Sequence, residues 1–254
     1  MTESTLSMTY TELLAEVGDL LRIDRDYSSW SANDRLLVDS CIKRGLRRFY
    51  NPPLLPGQSV VHEWSFLHIL ATLTTVANDS DYDLPADFGG VEGGFTYDPS
   101  NPYPPIRTVG EGEVRERLAC GVSTGRPQLA AIRPKSSDGT SGQIQEVIFW
   151  PIVDGIYTLS YRYSVICNQL SETKPYPLGG MQHSQTILEA CLAEAEGSDD
   201  QTGFHENQFL KQLTASIATD QRQSPGIIRG RSQGNSVRVG NLVTYNGVLY
   251  DANS

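Results

Sequence analysis

The sequence predicts an α+β protein: a four-helix bundle interrupted by a central β-rich insertion and followed by an extended C-terminal arm that carries a β-hairpin. Three observations predict it. Apolar residues recur at helical spacing through the first fifty residues and again after Gly180. Between these stretches, from about Gly57, runs rich in aromatic and β-branched residues are punctuated by Gly, Pro and Asp clusters. After Ser224 the texture changes again, to a small-polar and glycine-rich run and then two β-type runs around Asn246-Gly247.

The first helix follows from Tyr10, Leu13, Leu14, Val17, Leu20 and Leu21, which share one helical face. Asp24 to Trp30 reads as a loop with two aromatics. Ser31-Ala32-Asn33-Asp34 then offers capping side chains for a second helix, with Leu37, Val38, Cys41, Ile42, Gly45, Leu46 and Phe49 on one face. Asn51-Pro52-Pro53 ends it, because proline lacks the N–H that continues the ladder. Residues 1–56 are thus the N-terminal helix pair.

The β-rich insertion covers 57–179. Its strand candidates are Trp64 to Val76, Gln145 to Trp150 and Thr158 to Val165, with one short helix at Glu113 to Ala119. The C-terminal helix pair covers 180–223. His183, Ile187, Leu188, Cys191 and Leu192 form one stripe, and Phe204, Phe209, Leu210, Leu213 and Ile217 the next. Two helices on each side of an insertion are most simply one bundle, with Leu46, Phe49, Ile187 and Leu213 in a shared apolar cluster.

The arm covers 224–254. Asn246-Gly247 between Val237–Tyr245 and Val248–Tyr250 is a hairpin signal, since a type I′ turn needs positive φ at both central residues. A two-stranded hairpin alone is marginal in water, so it is expected to complete itself on another molecule or subunit. The alternative is that it folds back onto its own domain. Arg229, Arg231 and Arg238 against Asp251 give the arm a balance of +2, which leaves −12 of the total −10 on the body. A basic arm on an acidic body seeks an acidic surface. Arg229 and Arg231 would steer the approach, the segment from Val237 to Tyr250 would add strands, and Val239, Val243, Tyr245 and Leu249 would fill pockets.

Composition excludes several classes. Net charge −10 argues against a basic nucleic-acid groove. No apolar run approaches the roughly 18 residues of a membrane span, and Met1 to Thr5 lacks the basic start of a secretion signal, so a soluble chain made without export is expected. Cys41, Cys120, Cys167 and Cys191 lie far apart and read as reduced, mostly buried small apolar residues.

Chemical motifs are few. Gly121-Val122-Ser123-Thr124-Gly125 has the GxSxG pattern of a nucleophile elbow, but that elbow needs a strand before the serine and a helix after it. Here a helical segment precedes Ser123 and Pro127 follows, so the context is inverted. His183, Cys191 and His205 match no zinc spacing, and the apolar stripe already accounts for two of them. The proline-rich stretch from Tyr97 to Pro105 reads as a stiff exposed loop rather than a polyproline ligand. Glu189, Glu194 and Glu196 read as a solvated or lumen-facing charged surface. No catalytic residue, cofactor site or metal site is assigned.

Four segments stand out together: Cys41 to Tyr50 with its Asn51-Pro52 stop; Tyr82-Asp83-Leu84-Pro85-Ala86-Asp87-Phe88; Gly125-Arg126-Pro127 with Ala130 to Pro134; and Leu178 to His183 leading into Ala190 to Glu196. In this order they resemble the head–tail adaptor, or connector, proteins of tailed bacteriophages. The resemblance runs from about Leu6 to Gln223. It implies a helical protomer with a β insertion, assembled as a dodecameric ring under the portal protein in the virion neck, above downstream tail or neck proteins. It also implies that a C-terminal segment docks on the portal, and it brings no catalytic residues. DNA would pass through the lumen without specific binding, which suits an acidic protein, because a basic wall would grip phosphate. The alternative function is a β-rich tail or baseplate binding component.

Overall fold

The computed structural model describes residues 3–24, 26–56, 60–121, 123–135, 139–140, 142–197 and 203–223, together with the backbone of 238–239, 242–245 and 248–251. The chain divides into two compact units, one of residues 1–65 with 170–254 and one of residues 66–169. It is a mixed α and β structure with helices and several sheets among the described residues.

In the first unit, helix α1 spans Tyr10–Leu20 and begins with a capping box: Thr9 accepts from the Glu12 N–H while the Glu12 carboxylate accepts from the Thr9 N–H. Helix α2, Ala32–Tyr50, begins with a second box built from Ser31 and Asp34, the residues whose side chains the sequence offered as caps. Each box satisfies two N–H groups that the first turn leaves unpaired. Helix α3 (Glu111–Ala119) belongs to the second unit; α4 (Ser184–Glu196) and α5 (Phe204–Gln223) return to the first.

Helix α4 packs against α1, α2 and α5. It buries residues on nearly every side, Thr186, Ile187, Leu188, Ala190, Cys191, Leu192 and Ala195 among them, as a helix surrounded by neighbours must. Gly45 makes the closest approach possible. A Cβ there would stand 2.6 Å from the Cys191 Cα, so α2 and α4 touch through backbone. Leu46, Phe49, Ile187 and Leu213 are all buried. Phe204, placed by its spacing on the apolar stripe of α5, is instead 57% exposed, because it occupies the first turn ahead of the packed stretch that starts at Phe209.

The second unit holds two larger sheets and one small one among the described residues. Strands β1 (His68–Thr74), β9 (Thr158–Val165) and β3 (Phe88–Tyr97) form one antiparallel sheet in the order β1-β9-β3. The other has the order β2-β7-β6-β4, from Asp81–Asp83, Gln145–Trp150, Leu129–Pro134 and Arg107–Thr108. Two short strands, β5 (Thr124–Gly125) and β8 (Ile152–Val153), pair in parallel. The main core takes Phe95, Tyr161 and Leu159 from the first sheet and Val147, Phe149 and Ala130 from the second, with Phe95 edge-on to Phe149 at 5.5 Å. On the far side of β6 and β7, helix α3 covers Leu129, Ala131 and Ile148 with Val114. Sandwiching explains why Gln145 to Trp150 reads as a nearly continuous apolar run rather than an alternating one: both of its faces are buried.

The expected strand from Trp64 begins later, at His68. Trp64 is buried in the first unit instead, stacked on Phe49 at 4.7 Å with its indole N–H donating to the Phe49 carbonyl at 2.8 Å. A large ring with a polar edge meets its needs at the end of α2 better than on a half-exposed strand.

Candidate functional site

The arm carries the site residues that the sequence nominates. Its backbone forms β10 (Arg238–Val239), β11 (Leu242–Tyr245) and β12 (Val248–Asp251), paired antiparallel in that order. The register sets Val243 opposite both Arg238 and Tyr250, Val239 opposite Leu242, Thr244 opposite Leu249 and Tyr245 opposite Val248. Arg229, Arg231, Val237 and the Asn246-Gly247 turn lie outside the described residues, as do the side chains of Val239, Val243, Tyr245, Leu249 and Tyr250.

The root of the arm is α5, and its last turns are anchored by charge. Asp220 is only 3% exposed. Its carboxylate accepts from the Ser65 N–H at 3.1 Å and the Ser65 hydroxyl at 2.5 Å, and pairs with His62 Nε2 at 3.0 Å. Burial alone would raise this carboxyl. The His62 and Ser65 hydrogen bonds outweigh burial and hold it below the usual carboxylate range. Around the cluster stand Trp64, 4.8 Å from His62, and His183, 5.1 Å from Trp64. Burial pushes His183 below its ordinary value, against the pull of the Asp220 charge, with His62 adding to the depression. The group ties the segment 62–65 to α5. Sequence reasoning missed it. The signal was Asp220 itself, which continues the buried stripe of Leu213, Ser216 and Ile217 at helical spacing.

The three glutamates are engaged in hydrogen bonds and ion pairs rather than left as a freely solvated surface. Glu196, 4% exposed, accepts from the N–H groups of Phe204 and His205, both at 2.8 Å, and so caps α5. Glu189 pairs with His205 at 2.9 Å. Glu194 reaches Arg44 at 3.5 Å and Arg48 at 3.6 Å across the α2–α4 contact, and Arg48 also bonds Glu206 and lies over the Phe209 ring. These carboxylates are spent on joining α2, α4 and α5.

The remaining motifs resolve in the same way. Ser123 is exposed, follows α3 and leads into β5, and its carbonyl accepts from the Ile152 N–H, so helix precedes and strand follows, the reverse of an elbow. His183 and Cys191 are buried, and His205 is held by Glu189. Cys41 is also buried, Cys167 is half-buried with burial raising its thiol to about 12, and Cys120 departs from the expectation by being exposed. Tyr97, at the start of the proline-rich stretch, is buried and donates to the Pro127 carbonyl at 2.6 Å, while Tyr103 lies exposed under the Arg126 guanidinium.

What these sites have in common is construction rather than reaction: caps, ion pairs and close helix contacts, with no constellation of nucleophile, base and oxyanion donors among the described residues. Residues 8–231 match the family described as SU10 adaptor protein, and this chain belongs to that family of phage adaptors, whose role is structural. A search of curated proteins finds no match.

Proposed function

We propose that this chain is the head–tail adaptor of a tailed-phage virion: a protomer that assembles as a ring beneath the portal, extends the DNA channel and presents the platform for the tail. The observation that supports it is the family match over residues 8–231, which takes in the four helices of the first unit and the whole of the second. In this reading those four helices act as one bundle, the wall of the ring, and the β-rich insertion contributes contacts between neighbours. The body, at −12, repels DNA phosphate so that the duplex slides. The arm reaches out to portal or neighbouring protomer, led by Arg229 and Arg231, and pairs through its strands.

Deleting 224–254 tests the docking role. The truncated protomer is expected to keep its helical circular dichroism and its thermal midpoint, and to fail to join portal-bearing heads. Truncated chains that join heads normally would remove the arm from assembly; truncated chains that unfold would assign it to the protomer's own core.

A further inference from the structure

Strand β1 is an unprotected sheet edge. Among the described residues it pairs only with β9, in an unbroken register from His68↔Ser164 to Thr74↔Thr158. Its residues are His68-Ile69-Leu70-Ala71-Thr72-Leu73-Thr74, with no proline, no lysine or acid, and no bulge. Ala71 and Leu73 pack on the core, whereas Leu70 is 73% exposed and Thr72 and Thr74 are exposed.

The other described edges of this unit are blunted in the ways that soluble proteins use against edge-to-edge pairing. Strand β2 has three residues, two of them aspartates; β4 has two; β3 is bulged at Phe88/Gly90 and again at Glu92/Thr96 and is bridged to Ile106.

The hydrogen-bond phase of β1 says which backbone groups face outward. Thr75 N–H donates to the Tyr157 carbonyl and Asp98 N–H to the Thr158 carbonyl. Odd-numbered residues of β9 therefore bond to β1 and even-numbered ones to β3. By the alternation of an antiparallel ladder, Ile69, Ala71 and Leu73 bond inward and the N–H and C=O groups of Leu70, Thr72 and Thr74 point off the sheet.

We infer that this edge is the acceptor for β12, Val248–Asp251, of a second copy of the chain, so that an arm strand of one protomer extends the β1-β9-β3 sheet of its neighbour. The inference rests on the proposal that the arm docks. Strand β12 is itself the outer strand of the β10-β11-β12 sheet and, among the described residues, pairs on one side only. Its four residues rise about 10 Å from first to last, which fits within the stretch from Leu70 to Thr74. The fourteen residues from 224 to 237, between the end of α5 and β10, can bridge at most about 50 Å. Charge favours the same match: the arm is +2, whereas residues 66–169 hold twelve acidic against seven basic side chains.

Thr72→Pro tests the edge. It removes an outward N–H and leaves the β9 ladder intact, the one arrangement in which an edge strand accepts proline. Leu70→Lys, which places a charge on the edge, serves as the second variant should the first fail to fold. Sedimentation velocity is run on full-length wild type, Thr72→Pro, Leu70→Lys and the chain lacking 224–254, each after a thermal melt. Wild type is expected to associate, and each variant alone to sediment as a monomer. An equal mixture of Thr72→Pro with the truncated chain should form a one-to-one complex, because one supplies the strand and the other the edge. Edge variants that associate like wild type while the truncation does not would place the arm elsewhere, overturning the acceptor and sparing the arm. A truncated chain that associates like wild type would overturn the acceptor, since body contacts alone would then hold the copies together. Monomeric wild type, or a mixture that stays monomeric, would overturn the acceptor.

Discussion

Asp220 and His183 show how much of this molecule is held by single buried ionisable side chains. Breaking the Asp220 cluster with Asp220→Ala leaves the Ser65 and His62 donors without their acceptor. The pH dependence follows from the direction of each shift. The folded pKa of His183 is below its ordinary 6.5, so its contribution to stability is complete above that value and is lost as pH falls through the folded one. Asp220 is likewise depressed, below 3.8, so its contribution is present above that value and is lost as pH falls further. The thermal midpoint should therefore drop in two stages on acidification, and His183→Gln should remove its share of the first stage while sparing the second. Melts of both chains across the range check it; an unchanged first stage in the variant would show that burial of His183 costs nothing on protonation.

At the scale of elements, the α2–α4 contact gives the sharpest expectation, because the same substitution should have opposite effects at two helical glycines. Alanine is the better helix former by roughly 1 kcal/mol. At Gly112, in α3, an added Cβ meets nothing within 4 Å, so Gly112→Ala should be neutral or stabilise by up to about 1 kcal/mol. At Gly45 the Cβ would strike the Cys191 backbone at 2.6 Å, and separating two packed helices costs about 1–3 kcal/mol, more than propensity returns. Urea denaturation of the two variants reads the signs directly. Equal effects would mean that α2 and α4 do not approach through Gly45.

For the whole molecule, charge is the property that bears on work with DNA. A body of −12 offers few phosphate contacts, so little counterion release can drive binding. The purified chain should show no salt-sensitive affinity for duplex DNA in a titration by fluorescence anisotropy. Micromolar binding at physiological salt would instead mark a gripping surface and remove the sliding-channel reading.

Local rules made much of this chain legible. Helical spacing located α1, α2, α4 and α5, Ser31 and Asp34 announced the cap of α2, and the apolar run at Gln145 to Trp150 marked a strand to the residue. Each depends on neighbours a few positions apart, where side-chain geometry and backbone hydrogen bonding are nearly independent of the rest of the fold. Contacts between distant residues left no such trace. Trp64 has the composition of a strand yet stacks on Phe49; Glu196 looks like a surface acid yet caps α5; Asp220 meets Ser65 across 155 positions. The β1 edge belongs to the same class, since seven residues declare a strand but not whether a neighbour covers it. The sequence by itself determined which segments became helix and strand, because periodicity and capping are local. Only the tertiary structure decided which polar groups were buried and which edge stayed open, because burial depends on what the rest of the chain brings alongside.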